Sequence, residues 1–228
     1  MEFIAATNNV HKLAEMRRIL EALGHTVHSQ REAGIALDPE ETGATFSENA
    51  RIKARAICEA AGRPTVADDS GLCVDALGGA PGVYSARYAG RHGDDEANND
   101  KLLAALEGVA ETARAAHFTS AICVYLPDGR NFMFEGQCPG RIGFARAGEN
   151  GFGYDPLFIP DCVGLDGART RPNAEGRTYA QLSAAEKDAI SHRGRALALM
   201  QQELPGLLED GTVLGAACGP CTIELEEQ

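Results

Sequence analysis

Apolar residues recur along the chain at two spacings, helical and alternating or continuous, and the polar clusters between them mark the breaks. Phe3 to Ala6 is a short apolar run that reads as a strand, followed at once by Thr7, Asn8 and Asn9. Leu13, Met16, Leu20 and Leu23 then return at helical spacing, with Gly24 as the stop. Thr45 with Glu48 three residues on forms a capping box, which opens a second helix through Phe46, Ala50, Ala54, Ile57 and Ala61 to Gly62. Pro64 to Ala67 predicts a strand that ends in the polar burst Asp68, Asp69, Ser70, and Gly78, Gly79, Pro81 and Gly82 predict an irregular loop. Asp94 to Leu106 predicts a third helix.

Further on, Phe118 to Leu126 and Asn131 to Gln137 flank the turn Pro127, Asp128, Gly129, the pattern of an antiparallel hairpin. The glycine-rich, charged stretch Gly164 to Gly176 reads as a surface loop. A second box, Ser183 with Glu186, starts helical character that runs through Ala196, Leu197, Leu199 and Met200, breaks near Ser191, and ends at Leu204, Pro205 and Gly206. From there to Gln228 the chain carries Glu209, Asp210, Glu224, Glu226 and Glu227 and no basic residue. The expected organisation is therefore one main domain over 1–205 and an acidic appendage or disordered tail over 206–228.

Composition narrows this picture. With 228 residues, 44% of them hydrophobic, one sizeable core is expected, and 26 glycines with 10 prolines favour α/β over a helical bundle. The formal net charge of -12 argues against long nucleic acid as a partner, since phosphate backbones are held by lysine and arginine. A local positive field survives around Arg169, Arg171, Arg177, Lys187, Arg193 and Arg195. Seven cysteines without a disulfide framework, the lack of a secretion-signal pattern and the lack of a long apolar run predict a protein of the reducing cytoplasm with no membrane association. Cys218 and Cys221 spell C-x-x-C, but in the acidic tail, without the strand and helix a redox motif needs.

Several residues could carry chemistry. Thr7, Asn8, Asn9, Val10, His11 and Lys12 lie where a strand hands over to a helix, a junction whose free N–H groups attract anions. Lysine in a first helical turn is disfavoured unless an anion offsets it. Lys53 falls on the edge of the buried face of the second helix, where its stem either snorkels or brings charge to a cleft. Glu40, Glu41, Asp68 and Asp69 offer hard oxygens of the kind magnesium takes one or two at a time beside substrate phosphate. Phe152, between Gly151 and Gly153, could face a flat ligand. Lys187, His192 and Arg193 could donate to carbonyl oxygens.

Taken in order, five stretches carry a more specific signal: A-T-N-N-V-H-K at 6–12, E-E-T-G-A-T-F-S-E-N-A at 40–50, A-D-D-S-G-L-C-V-D-A-L-G-G-A-P-G-V-Y-S-A-R-Y at 67–88, G-F-G-Y-D-P-L-F at 151–158 and E-K-D-A-I-S-H-R-G at 186–194. Together they resemble the non-canonical purine nucleoside triphosphate pyrophosphatases, enzymes of inosine and xanthosine triphosphate. The resemblance implies an elongated, two-lobed α/β fold on a long twisted mixed sheet, a nucleotide cleft between the lobes, and a homodimer. It implies hydrolysis between the α and β phosphates with Mg2+ as cofactor. By the same resemblance, Thr7 to Lys12 and Lys53 cradle the triphosphate, and Glu41 and Asp69 ligate the metal. Asp69, with Asp68 close by, is the family's proposed acceptor of the proton of water, and the sequence leaves either of the two acids open for that part. Ser70 touches substrate, Phe152, Gly153, Tyr154 and Asp155 wall the base, and Lys187, His192 and Arg193 read its oxo edge. A modified-pyrimidine pyrophosphatase and a nucleotide sensor without turnover are the competing expectations.

Overall fold

Local capping signals set the start of four of the five α-helices among the described residues. In the computed structural model, which describes residues 1–165 and 169–209, α1 (Val10–Ala22) is capped by Asn9 and α2 (Phe46–Ala61) by the reciprocal Thr45 and Glu48 box. Gly62 closes α2 in the left-handed region, at φ 60°. Asp94 caps α3 (Asp95–Ala105), and the Ser183 and Glu186 box opens α4 (Ala184–Ile190). The break at Ser191 separates α4 from α5 (His192–Glu209).

The strands are β1 (Glu2–Ala5), β2 (Thr26–Ser29), β3 (Thr65–Val74), β4 (Ala115–Tyr125), β5 (Asn131–Ile142), β6 (Phe158–Pro160), β7 (Cys162–Gly164) and β8 (Thr170–Pro172). Six of them form one mixed sheet in the order β2-β1-β3-β4-β5-β6, with β1 parallel to β2 and β3 and the remaining pairs antiparallel. Because β3, β4 and β5 are 10 to 12 residues long, each runs from one core into another. At one end Val66, Ile122, Val124, Phe132 and Phe134 pack with α1 and α5 on one face. Ala67, Ala121 and Cys123 pack with α2 on the other face. At the far end Leu72, Val74, Ala116, Phe118, Cys138 and Ile142 join a third core with Tyr154, Phe158, Tyr179 and Ile190. The fold is thus α/β with a long mixed sheet shared by two lobes.

Four expectations change. The strand from Pro64 does not end at the acids, since β3 carries Asp68, Asp69 and Ser70 through its middle, paired opposite Ile122, Ala121 and Ser120. The returning strand of the hairpin continues past Gln137 to Ile142. The stretch from Gly164 is not simply a loop, because β7 and β8 pair antiparallel across it. Finally, α5 passes through Pro205 to Glu209, and Leu207 and Leu208 pack on the first core, so the boundary at 205 falls inside a helix. Proline leaves a helix without one hydrogen bond, and the apolar contacts that follow offset this. The tail expected over 206–228, with Cys218 and Cys221, lies outside the described residues from 210 onward.

Candidate active site

The middle of β3 passes between the cores of the two lobes, and alternation along the strand sends successive side chains to opposite faces. Asp68 shares its face with Val66, toward α1 and α5, whereas Asp69 shares its face with Ala67, toward α2. Ser70 returns to the Asp68 face and donates to Asp68 Oδ2 at 3.0 Å.

On the α2 side, the Lys53 ammonium uses all three of its donors. It reaches Glu41 Oε1 at 2.7 Å, Asp69 Oδ1 at 2.9 Å and the Asp68 carbonyl at 2.9 Å. Burial opposes its charge, but Asp69 and Glu41 outweigh burial and hold it above its ordinary value. Burial also acts against the charge on Glu41, where Lys53, Lys12 and Arg87 prevail and keep the carboxyl low. At Asp69 burial wins: with the like charge of Glu41 it raises the carboxyl above its usual value despite Lys53 and Lys12. Arg87 faces the second oxygen of Glu41 at 3.5 Å.

On the opposite face, Asp68 is 1% exposed and accepts from Lys12 at 2.9 Å, Ser120 Oγ at 2.6 Å and Arg193 at 3.1 Å. Its carboxyl lies well below the ordinary range, since Arg193 and Lys12 overcome the burial that acts the other way. The anion that a first-turn lysine at position 12 calls for is thus Asp68. Arg193 also donates to Ser70 Oγ at 3.0 Å and to Glu15. Glu15, one turn after Lys12 on α1, accepts from Lys187 at 2.9 Å, and Lys187 in turn donates to Asp155 at 2.6 Å. Against its own burial, Arg193 and Lys187 pull the Glu15 carboxyl down to about 2. Asp155, Lys187, Glu15, Arg193, Asp68 and Lys12 therefore form one alternating row of acids and cations that crosses between the lobes.

The sequence-predicted residues fall into three groups around this row. Asn9 is the α1 cap, its side chain accepting from the His11 and Lys12 amides, and its own amide donates to Thr7 Oγ1 at 3.1 Å. Asn8 donates to Asp38 at 3.3 Å, and Val10 is exposed. The His11 side chain turns away from the acids and stacks on Phe152, with ring centres 5.2 Å apart and planes at 16°. Phe152 and Gly153 lie on a tight loop in which Gly151 and Gly153 adopt φ of 79° and 61°. The Phe152 amide donates to Asp155 at 3.0 Å, and a Cβ at Gly151 would collide with that same carboxylate. Tyr154 donates to the Ser85 carbonyl at 2.9 Å.

His192 is buried and stacks on Phe118 with centres 4.7 Å apart. Burial and the neighbouring Arg193 push its pKa well down, so it is neutral rather than the cationic donor its neighbours suggest. Among the described residues, His192 Nδ1 and Arg193 Nε are buried without a hydrogen-bond partner.

Sequence reasoning missed Glu15 and Ser120. Glu15 has a legible signal, an acid beside Met16 on the buried face of α1 and three residues from Lys12. Ser120 has none beyond its place in an apolar strand.

Comparison with known proteins covers nearly all of these residues. The sequence model of the Ham1 family matches residues 3–203. The chain is 49% identical over 208 residues to a dITP/XTP pyrophosphatase of Streptomyces coelicolor, covering 89% of this chain and 98% of that protein. Its fold is similar to the structure of a HAM1 protein from Coxiella burnetii, with a TM-score of 0.76 at 39% identity over 90% of this chain and 99% of the other. It is also similar to a nucleoside-triphosphatase / dITP/XTP pyrophosphatase from Mycobacterium abscessus, with a TM-score of 0.67 at 46% identity over 88% and 98% of the two chains.

Proposed function

This chain belongs to the Ham1 family, and from that premise we propose that it hydrolyses inosine and xanthosine triphosphates and their deoxy forms to the nucleoside monophosphate and pyrophosphate, with magnesium. The observation that carries the reading is Lys53, which ties Glu41, Asp69 and the Asp68 carbonyl into one point at the junction of the lobes.

The donor set fits magnesium. Glu41 and Asp69 bring two hard oxygens to within one cation's reach, 2.7 and 2.9 Å from the same ammonium. Among the described residues no three His, Cys, Asp or Glu side chains gather as a metal site, and magnesium needs only one or two carboxylates beside phosphate and water. Bound there, the ion would neutralise charge on the phosphate oxygens.

The chain's own groups do the rest. Lys12 and Lys53, fixed by Asp68 and by Glu41 with Asp69, place two positive charges beside the phosphate chain and stabilise the charge that develops on the departing pyrophosphate. Asp69 Oδ1 is held by Lys53, which leaves Oδ2 to orient the attacking water and take its proton. Asp68, held by Lys12, Arg193, Ser70 and Ser120, fixes the cations rather than moving protons.

The base lies along Phe152, its C6 oxygen accepting from the buried donors at Lys187, His192 and Arg193, where the amino group of adenine would face donors instead. Homodimerisation and a cytoplasmic setting belong to the same reading, and no described helix is long and apolar enough to cross a membrane. Initial rates of pyrophosphate release decide the matter. Inosine and xanthosine triphosphates should exceed adenosine and guanosine triphosphates in kcat/KM by about a hundredfold or more. Equal efficiencies, or orthophosphate as the product, would overturn the reading.

A further inference from the structure

We propose that His11 gates the binding of the base: its imidazole occupies the base-stacking face of Phe152 and must yield it to the incoming nucleotide. The inference rests on the reading above, in which Phe152 stacks the base, and it assigns to His11 a part that the anion-binding character of its neighbours does not.

The geometry is direct. The two rings lie 5.2 Å apart, centre to centre, at 16°, the arrangement of aromatic rings in contact. A third ring does not fit between them at that distance, so His11 and a purine exclude each other on this face.

Which partner moves follows from how each is held. Phe152 sits on a pinned loop: its amide donates to Asp155 at 3.0 Å, the Gly153 amide donates to Asp95 at 2.8 Å, and the Gly153 carbonyl accepts from Asn99 at 2.8 Å. The Lys187 ammonium, 5.1 Å from the centre of the same ring, is fixed by Glu15 and Asp155. His11, by contrast, is exposed in the first turn of α1 and held only through its backbone, whose amide donates to the Asn9 cap at 2.9 Å. Its imidazole has no hydrogen-bond partner among the described residues and is free to turn about its side-chain bonds. As a flat nitrogen heterocycle it resembles the five-membered half of a purine, so it covers an aromatic surface that would otherwise be wet, and it leaves when a larger ring offers more contact.

The role makes an unusual kinetic demand: removing a residue of the site should improve binding. His11→Ala should lower the KM for inosine triphosphate roughly twofold to tenfold, the range that one stacked pair contributes. In a Phe152→Leu background the same substitution should leave KM where it stands. An unchanged or raised KM in the single variant would overturn the proposal.

A second measurement is independent of turnover. In proton NMR at fixed pH, the His11 ring signals should be displaced by the Phe152 ring current, lose that displacement in Phe152→Leu, and lose it again when inosine monophosphate is added to the unmodified protein. His11 signals indifferent to both changes would overturn the proposal. If the unmodified protein releases no pyrophosphate from inosine triphosphate, the functional reading fails separately, and the response of His11 to the monophosphate still decides the inference.

Discussion

Asp68 and Asp69 are neighbours in sequence and strangers in structure. On the α1 and α5 face, Asp68 meets two cations and two hydroxyls and is held firmly ionised. On the α2 face, Asp69 shares one lysine with a second carboxylate, and burial keeps its proton affinity above the ordinary. A single step along a strand thus separates a carboxylate whose burial is fully compensated from one whose burial is compensated only in part. The difference teaches that burial is fully offset at Asp68, by two cations and two hydroxyls, and only partly at Asp69, whose lysine is shared with Glu41.

The contrast is best broken by removing each charge in turn. Asp68→Asn leaves Arg193 and Lys12 without a common anion in a buried setting, and the loss of one partner from such a group costs about 3–5 kcal/mol. Denaturant unfolding should show it, and a stable Asp68→Asn protein would refute the architectural role. Asp69→Asn should instead cost less stability than Asp68→Asn in magnesium-free buffer, since Lys53 keeps Glu41 and the Asp68 carbonyl, while turnover falls about a hundredfold or more, or at least about 3 kcal/mol of transition-state stabilisation. Near-normal hydrolysis at saturating magnesium would remove Asp69 from the reaction.

Acid sharpens the same comparison through Glu15, the other anion on the Asp68 face. Its folded pKa is depressed from 4.5 to about 2, so the unfolded chain takes up the proton first as pH falls. The sign is therefore that its contribution is complete above about pH 5 and disappears between about pH 4.5 and 2, amounting to about 3 kcal/mol. Glu15→Gln should be less stable than the unmodified protein at neutral pH, and that gap should close on acidification. A gap independent of pH would contradict the ion-pair account. The smallest effect concerns the end of α5, which supports this face through Leu207, Leu208 and the Arg130 contact to the Leu208 carbonyl at 3.3 Å. Deleting 207–228 should cost about 1–2 kcal/mol more than deleting 210–228, from lost apolar burial, with kcat little changed in either. Equal melting curves would show that these leucines contribute nothing.

Elements whose signals are local were legible in the chain. The Thr45 and Ser183 boxes, the Asp94 start and the Pro127 turn each rest on residues within a few positions of one another, and the helices and hairpin stand where those residues put them. The middle of β3 was not legible, because three polar residues in a row read as an exit from the sheet. What keeps them inside is compensation from Lys12, Lys53, Ser120 and Arg193, none of them near in sequence. Glu15 stayed hidden for the same reason, since an acid on an apolar helix face gains its meaning only from cations at 187 and 193. β2 lacks any long apolar run, and β7 and β8 are too short for a period to show.

The bond between Arg193 and Asp68 spans 125 residues, and that between Arg193 and Glu15 spans 178. During synthesis, most of the sheet leaves the ribosome while its central acids still lack their arginine, and the first core lacks Ala196, Leu197, Met200 and Leu204. An isolated amino-terminal fragment would have to bury Asp68 with Lys12 as its only cation, so the nascent chain gains its native interior only as α5 emerges. Chains that stop short of α5 are thereby left open to proteolysis.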